Sequence, residues 1–72
     1  MNAFFVDAER DRPEEAGPLR MRYVAMAETP AAAVEAVRTL VSAETVLHAT
    51  GGTLSLHIAR AIGIRPGQAK LV

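Results

Sequence analysis

Cysteine is absent from this chain, and with it go the disulfide staple and the thiol nucleophile. A chain without thiols also suits a reducing compartment. Aromatic residues are nearly absent: Phe4, Phe5 and Tyr23 are all there are, so burying even one ring matters to a small core. No apolar run approaches the length of a membrane span, and the opening MNAFFVDAERDR is acidic where a secretory signal would be basic and then apolar. These absences predict a soluble, cytoplasmic protein with no membrane association. Catalytic signatures are lacking too. There is no Gly-x-Ser-x-Gly elbow, and His48 and His57 lie nine residues apart, outside H-x-H and H-x-x-x-H spacing. Ser42 and Ser55 have no flanking sequence that marks a nucleophile, so no catalytic residue, metal or cofactor is assigned.

Acidic residues are missing from one half of the chain. Residues 1–44 hold eight acids against five bases, whereas residues 45–72 hold Arg60, Arg65 and Lys70 and no acid. The formal net charge of zero therefore conceals halves of about minus three and plus three, with His48 and His57 in the basic one. Such a split suits either an anionic partner for the basic half or mutual neutralisation within the fold or across a dimer. With 72 residues and no staple, one apolar core is only marginally sufficient, which makes a homodimer the natural expectation.

What is present is organised around residues 20–42. RMRYVAMAE reads as a strand whose alternation puts Leu19, Met21, Tyr23 and Ala25 on one face and Arg20, Arg22, Val24 and Met26 on the other. TPAAAVEAVRTLVS follows as an amphipathic helix, with Thr29 as N-cap and Pro30 at the first helical position, where a missing N–H costs nothing. Ala33, Val34, Val37, Leu40 and Val41 form its apolar stripe, and Glu35 and Arg38 can pair on the surface.

Before this unit, residues 2–6 (NAFFV) have the composition of a first strand. Residues 7–18 begin with seven charges in nine positions and end in Ala-Gly-Pro, which predicts a solvated, flexible loop. Glu14 and Glu15 lack the enclosure that acid–base catalysis requires, and Arg10 and Arg12 oppose a cation at Asp7, Glu9 and Asp11.

After it, residues 44–49 (ETVLHA) predict a strand, parallel to residues 20–27 if the helix acts as a crossover. Thr50, Gly51, Gly52 and Thr53 then read as a glycine turn into a helix over 54–62, capped by Thr53 or Ser55, with Leu54, Ile58, Ala61 and Ile62 buried and Gly63 terminating it. Strand, glycine turn and helix N-terminus together can face an anion, and Thr53, His57 and Arg60 would lie along one side of that helix. The candidate phosphate, anion or nucleotide site is thus Thr50, Gly51, Gly52, Thr53, His57 and Arg60. The tetrapeptide TGGT resembles the TGGTG loop of molybdopterin-handling enzymes and the threonine loop of asparaginases, but the likeness stops at Leu54 and no activity is carried over.

The last segment has a competing reading. SLHIARAIGIRPGQAKLV resembles the helix-turn-helix of bacterial DNA-binding proteins, with Ala59 and Gly63 at the alanine and turn-glycine positions and Ile58, Ile62 and Ile64 as packing residues. That resemblance implies a second helix and places Arg65, Gln68 and Lys70 against nucleic acid. Otherwise Pro66 and Gly67 make a turn and residues 69–72 a short strand.

The expectation is a small two-layer α+β domain of order β-β-α-β-α-β, a mixed sheet of three or four short strands with two helices on one face. Its expected role is a non-catalytic protein-interaction or regulatory module, acting as a homodimer with an unidentified protein partner. The alternatives are a DNA-binding protein using residues 55–72 and an anion-binding module at residues 50–53.

Overall fold

A computed structural model describes residues 1–11 and 17–72. Its elements are β1 (Asn2–Arg10), β2 (Leu19–Ala27), α1 (Pro30–Arg38), β3 (Val46–Leu54), α2 (Leu56–Ala61) and β4 (Ala69–Leu71). They form one four-stranded sheet in the order β3-β1-β2-β4. The α+β class and the element order are those the sequence predicts.

The sheet is antiparallel throughout, not mixed, because β1 lies between β2 and β3 and pairs antiparallel with each. The strands flanking α1 do run in the same direction, as a crossover requires, but they are not neighbours. β1 also runs four residues further than residues 2–6. Its charged end is strand, not loop, since Asp7 and Glu9 alternate with the buried Val6 and Ala8 and face Arg22 and Arg20 across the β1–β2 ladder. The rest of the expected 7–18 loop, with Glu14 and Glu15, falls largely outside the described residues.

The two helices cover opposite faces of the sheet, not the single face expected. On one face Phe4, Val6, Ala8, Tyr23, Ala25 and Ala27 pack against Ala33 and Val37 of α1. On the other, Ala3, Val24 and Met26 pack against Ala59 of α2 and Ile64. β2 explains this arrangement: from Tyr23 to Ala27 every residue is buried, so both of its faces need a cover there, whereas Arg20 and Arg22 keep the other end of the second face polar.

α1 begins as predicted. Thr29 Oγ1 accepts from the Ala32 amide at 3.1 Å, and Pro30 is the first helical residue. It stops at Arg38, capped by Thr39, so Leu40 leaves the stripe and is 54% exposed. Arg38 does not pair with Glu35 but donates to the carbonyls of Thr45 (2.8 Å) and Ser42 (3.4 Å), tying the α1–β3 connection to the helix end. α2 is a six-residue helix capped by Ser55, whose Oγ accepts from the His57 amide at 3.2 Å. That start turns Leu56 and Ala59 inward and leaves Ile58 and Ile62 49% and 41% exposed, reversing the expected stripe. Gly63 takes a positive φ of 86° after the helix, as its position predicts.

Among the described residues no helix is long and apolar enough to cross a membrane.

Candidate functional site

The glycine pair that the sequence places between strand and helix lies inside β3. Phe4 pairs with Thr53 and Val6 with Ala49, so Phe5 alone faces Thr50, Gly51 and Gly52 in a bulge. Gly51 has a φ of +82°, the left-handed region that residues with a Cβ disfavour. A Cβ on Gly52 would sit 3.3 Å from Thr50 Oγ1 and 3.4 Å from Phe5 Cδ2, tight against both. Thr50 closes the bulge: its hydroxyl donates to the Phe5 carbonyl at 3.3 Å and accepts from the Gly52 amide at 3.0 Å. Two of the groups expected to face an anion, the Thr50 hydroxyl and the Gly52 amide, are thus engaged with each other. Thr53 is a ladder residue opposite Phe4, while His57 and Arg60 belong to α2, beyond the Ser55 cap. The six candidate residues are divided between a strand bulge and a short helix.

The helix-turn-helix geometry is absent. Where a second helix would lie, Gln68 N–H donates to the Arg65 carbonyl at 3.0 Å, closing a turn with Pro66 and Gly67 at its centre. Gly67 has a φ of +81°, and β4 follows. Proline second and a positive-φ glycine third is the pattern of a type II turn. Arg65 and Gln68 flank that turn, and Lys70 is in β4, its Nζ donating to the Ile62 carbonyl at 2.9 Å. With no second helix after α2, these residues do not take the arrangement that the resemblance implies.

On the α2 side of the sheet, α2 covers only one end. The other end carries cross-strand ion pairs, Arg22 Nε to Asp7 Oδ1 at 2.8 Å and Arg20 Nε to Glu9 Oε2 at 3.7 Å. The Arg22 guanidinium carbon also lies 5.6 Å from the centroid of the Phe5 ring. The hydrogen bond from Arg22 holds the Asp7 carboxyl below its ordinary value against the opposing effect of partial burial, with the charges of Arg22 and His48 adding to it. His48 pairs with Asp7 across β1–β3, and Asp7, Glu9, Arg20, Arg22 and His48 line one shallow depression. Among the described residues, no three of His, Asp and Glu converge to hold a metal ion.

What the sequence did not single out is the outer edge of β3. β3 is terminal in the sheet, nine residues long, and contains neither proline nor lysine, two of the devices that blunt an edge. The direction of its amides follows from the far side of the sheet. Val72 N–H donates to the Arg22 carbonyl and Met26 N–H to the Gln68 carbonyl, so even-numbered residues of β2 direct their backbone polar groups toward β4. Odd-numbered residues of β2 then face β1, and by register even-numbered residues of β1 face β2 and odd-numbered ones face β3. The Thr50 hydroxyl on the Phe5 carbonyl agrees with this parity. Because Asp7 pairs with His48 and Glu9 with Val46, His48 and Val46 bond inward, and Leu47 and Ala49 present N–H and C=O outward. The signal in the sequence was the β-prone run ETVLHA, but which of its amides face outward depends on a strand order no local pattern fixes.

Compared with known proteins, the chain matches no family model, no curated protein and no solved structure.

Proposed function

We propose that this protein is a non-catalytic interaction module of the cytoplasm that works as a homodimer, pairing with a second copy through the edge of β3. The observation that carries the reading is the outward N–H and C=O of Leu47 and Ala49 on the regular part of a terminal strand, ahead of its bulge, where neither proline nor lysine stands. Two copies related by a twofold axis can pair residues 46–49 antiparallel, since an isologous contact brings the same strand from each side. The bulge at residues 50–52 ends the regular stretch, which limits slippage of the register. Val46, 54% exposed, adds apolar surface beside the seam. Small size and the lack of any staple favour association for the same reason. The cytoplasmic assignment rests on the absence of cysteine.

The test is Ala49→Pro. Ala49 is exposed and its N–H points outward, so proline removes one intermolecular donor while leaving the β1–β3 ladder whole. Light scattering coupled to size exclusion should give a dimer for the natural chain and a monomer of unchanged circular dichroism for the variant. His48→Pro removes an inward amide and should unfold the domain instead. A natural chain that is monomeric at high micromolar concentration would overturn the proposal.

A further inference from the structure

We infer that the cleft between α2, the 63–66 segment and the start of β1 is a binding site for a free linear alkyl carboxylate. Its lining is Met1, Met26, Leu56, Gly63, Ile64 and Pro66, with the guanidinium residues Arg60 and Arg65, around a volume of about 650 Å³. Met26 and Ile64 are buried and form the apolar floor, while Met1 is half exposed at the mouth. The volume lies within the range that holds small organic ligands. Unbranched, polarizable methionine side chains fit themselves to an alkyl chain.

Charge defines the other end of the ligand. The ion pairs among the described residues are Arg20 with Glu9 and Arg22 with Asp7, and neither Arg60 nor Arg65 is in one. No acid occurs in residues 45–72 to offset them. Two planar guanidinium forks at the border of an apolar floor suit a carboxylate, which each can hold in a bidentate manner, with a hydrocarbon tail lying over Met26, Leu56 and Ile64. A neutral apolar ligand would leave both arginines without a counter-charge, and a small inorganic anion would leave the floor uncovered. The inference is independent of the dimer, because Arg60 lies in α2 and Arg65 in the turn before β4, neither of them in β3.

The experiment is titration of the full chain with decanoate, below its micelle concentration and near neutral pH, followed by calorimetry and by the amide resonances of Met26, Leu56 and Ile64. Saturable binding that shifts those three resonances is expected. Arg60→Gln and Arg65→Gln should each weaken it by about tenfold, as loss of a charge-assisted hydrogen bond does. Arg20→Gln, on the polar end of the sheet, should leave it unchanged. Both arginines are exposed, and unchanged circular dichroism of the variants checks that they fold. Decanol binding as tightly as decanoate, or acetate producing the same shifts as decanoate, would overturn the inference. So would binding to phosphatidylglycerol vesicles with none to monomeric decanoate, which would make the site a membrane contact.

Discussion

Val37→Ala is the sharpest test of how the two layers hold together. Val37 is fully buried in the last turn of α1 and is, with Val6 and Val24, among the largest side chains without exposure in the described residues. The substitution removes two methyl groups, worth about 0.8 kcal/mol each in transfer from water. The cavity they leave adds to this, because helix and sheet are both constrained and collapse only in part, so the total comes to about 2–3 kcal/mol. A domain of this length has a stability of about 4–11 kcal/mol, so one such loss is a large share of it. For a domain this small, each 1 kcal/mol lowers Tm by about 4–8 °C, which predicts a drop of about 8–24 °C. Thermal unfolding followed by circular dichroism measures it, at one fixed protein concentration because association moves Tm. Ile58→Ala on the exposed side of α2 serves as the comparison and should change stability by no more than about 0.5 kcal/mol. If Val37→Ala cost no more than Ile58→Ala, α1 would not be packed on the sheet and the described core would be wrong.

Gly51→Ala meets no neighbouring atom within 4 Å, so its cost is backbone strain at a φ of +82°, about 1 kcal/mol, visible as a lower denaturant midpoint. Gly51→Asn should cost less, because asparagine tolerates that region. Asp7 should titrate below the ordinary range of an aspartate in a carboxyl NMR experiment, and Arg22→Gln should move it upward. The sign of the linkage follows: a carboxyl depressed on folding stabilises above its unfolded pKa, and that contribution is lost as pH falls through the folded one. The effect is small because the pair is half exposed, so equilibrium unfolding should be nearly flat from neutrality down to the carboxyl range and then weaken.

Much of the centre of the fold can be read from residues alone. Thr29 and Pro30 announce α1 through local chemistry, and the alternation of Leu19 to Met26 gives the two faces of β2 as they are observed. The misreadings share a cause: in each, a local signal competed with a long-range one. The charges of Asp7 to Arg10 suggested a loop, although Phe4, Val6 and Ala8 already alternate, because their partners Arg20 and Arg22 lie across a hairpin. Gly51 and Gly52 suggested a turn, whereas the strand continues through them on a hydrogen bond from Thr50 to Phe5, 45 residues distant. The apolar run Tyr23 to Ala27 did carry the sign that both faces are covered, and so that the helices lie on opposite sides. Of the candidate site residues, Arg60 and Arg65 are brought together at one cleft, a pairing invisible in sequence because each was drawn into a different motif.

The account turns on whether the outer edge of β3 is where one copy meets another. Sedimentation equilibrium of the natural chain and of Ala49→Pro, side by side at the same concentrations, tests that most directly. The account predicts a self-associating natural chain of twice the 7.7 kDa protomer mass and a folded variant at the protomer mass. Two monomers, or two dimers of equal affinity, would contradict it.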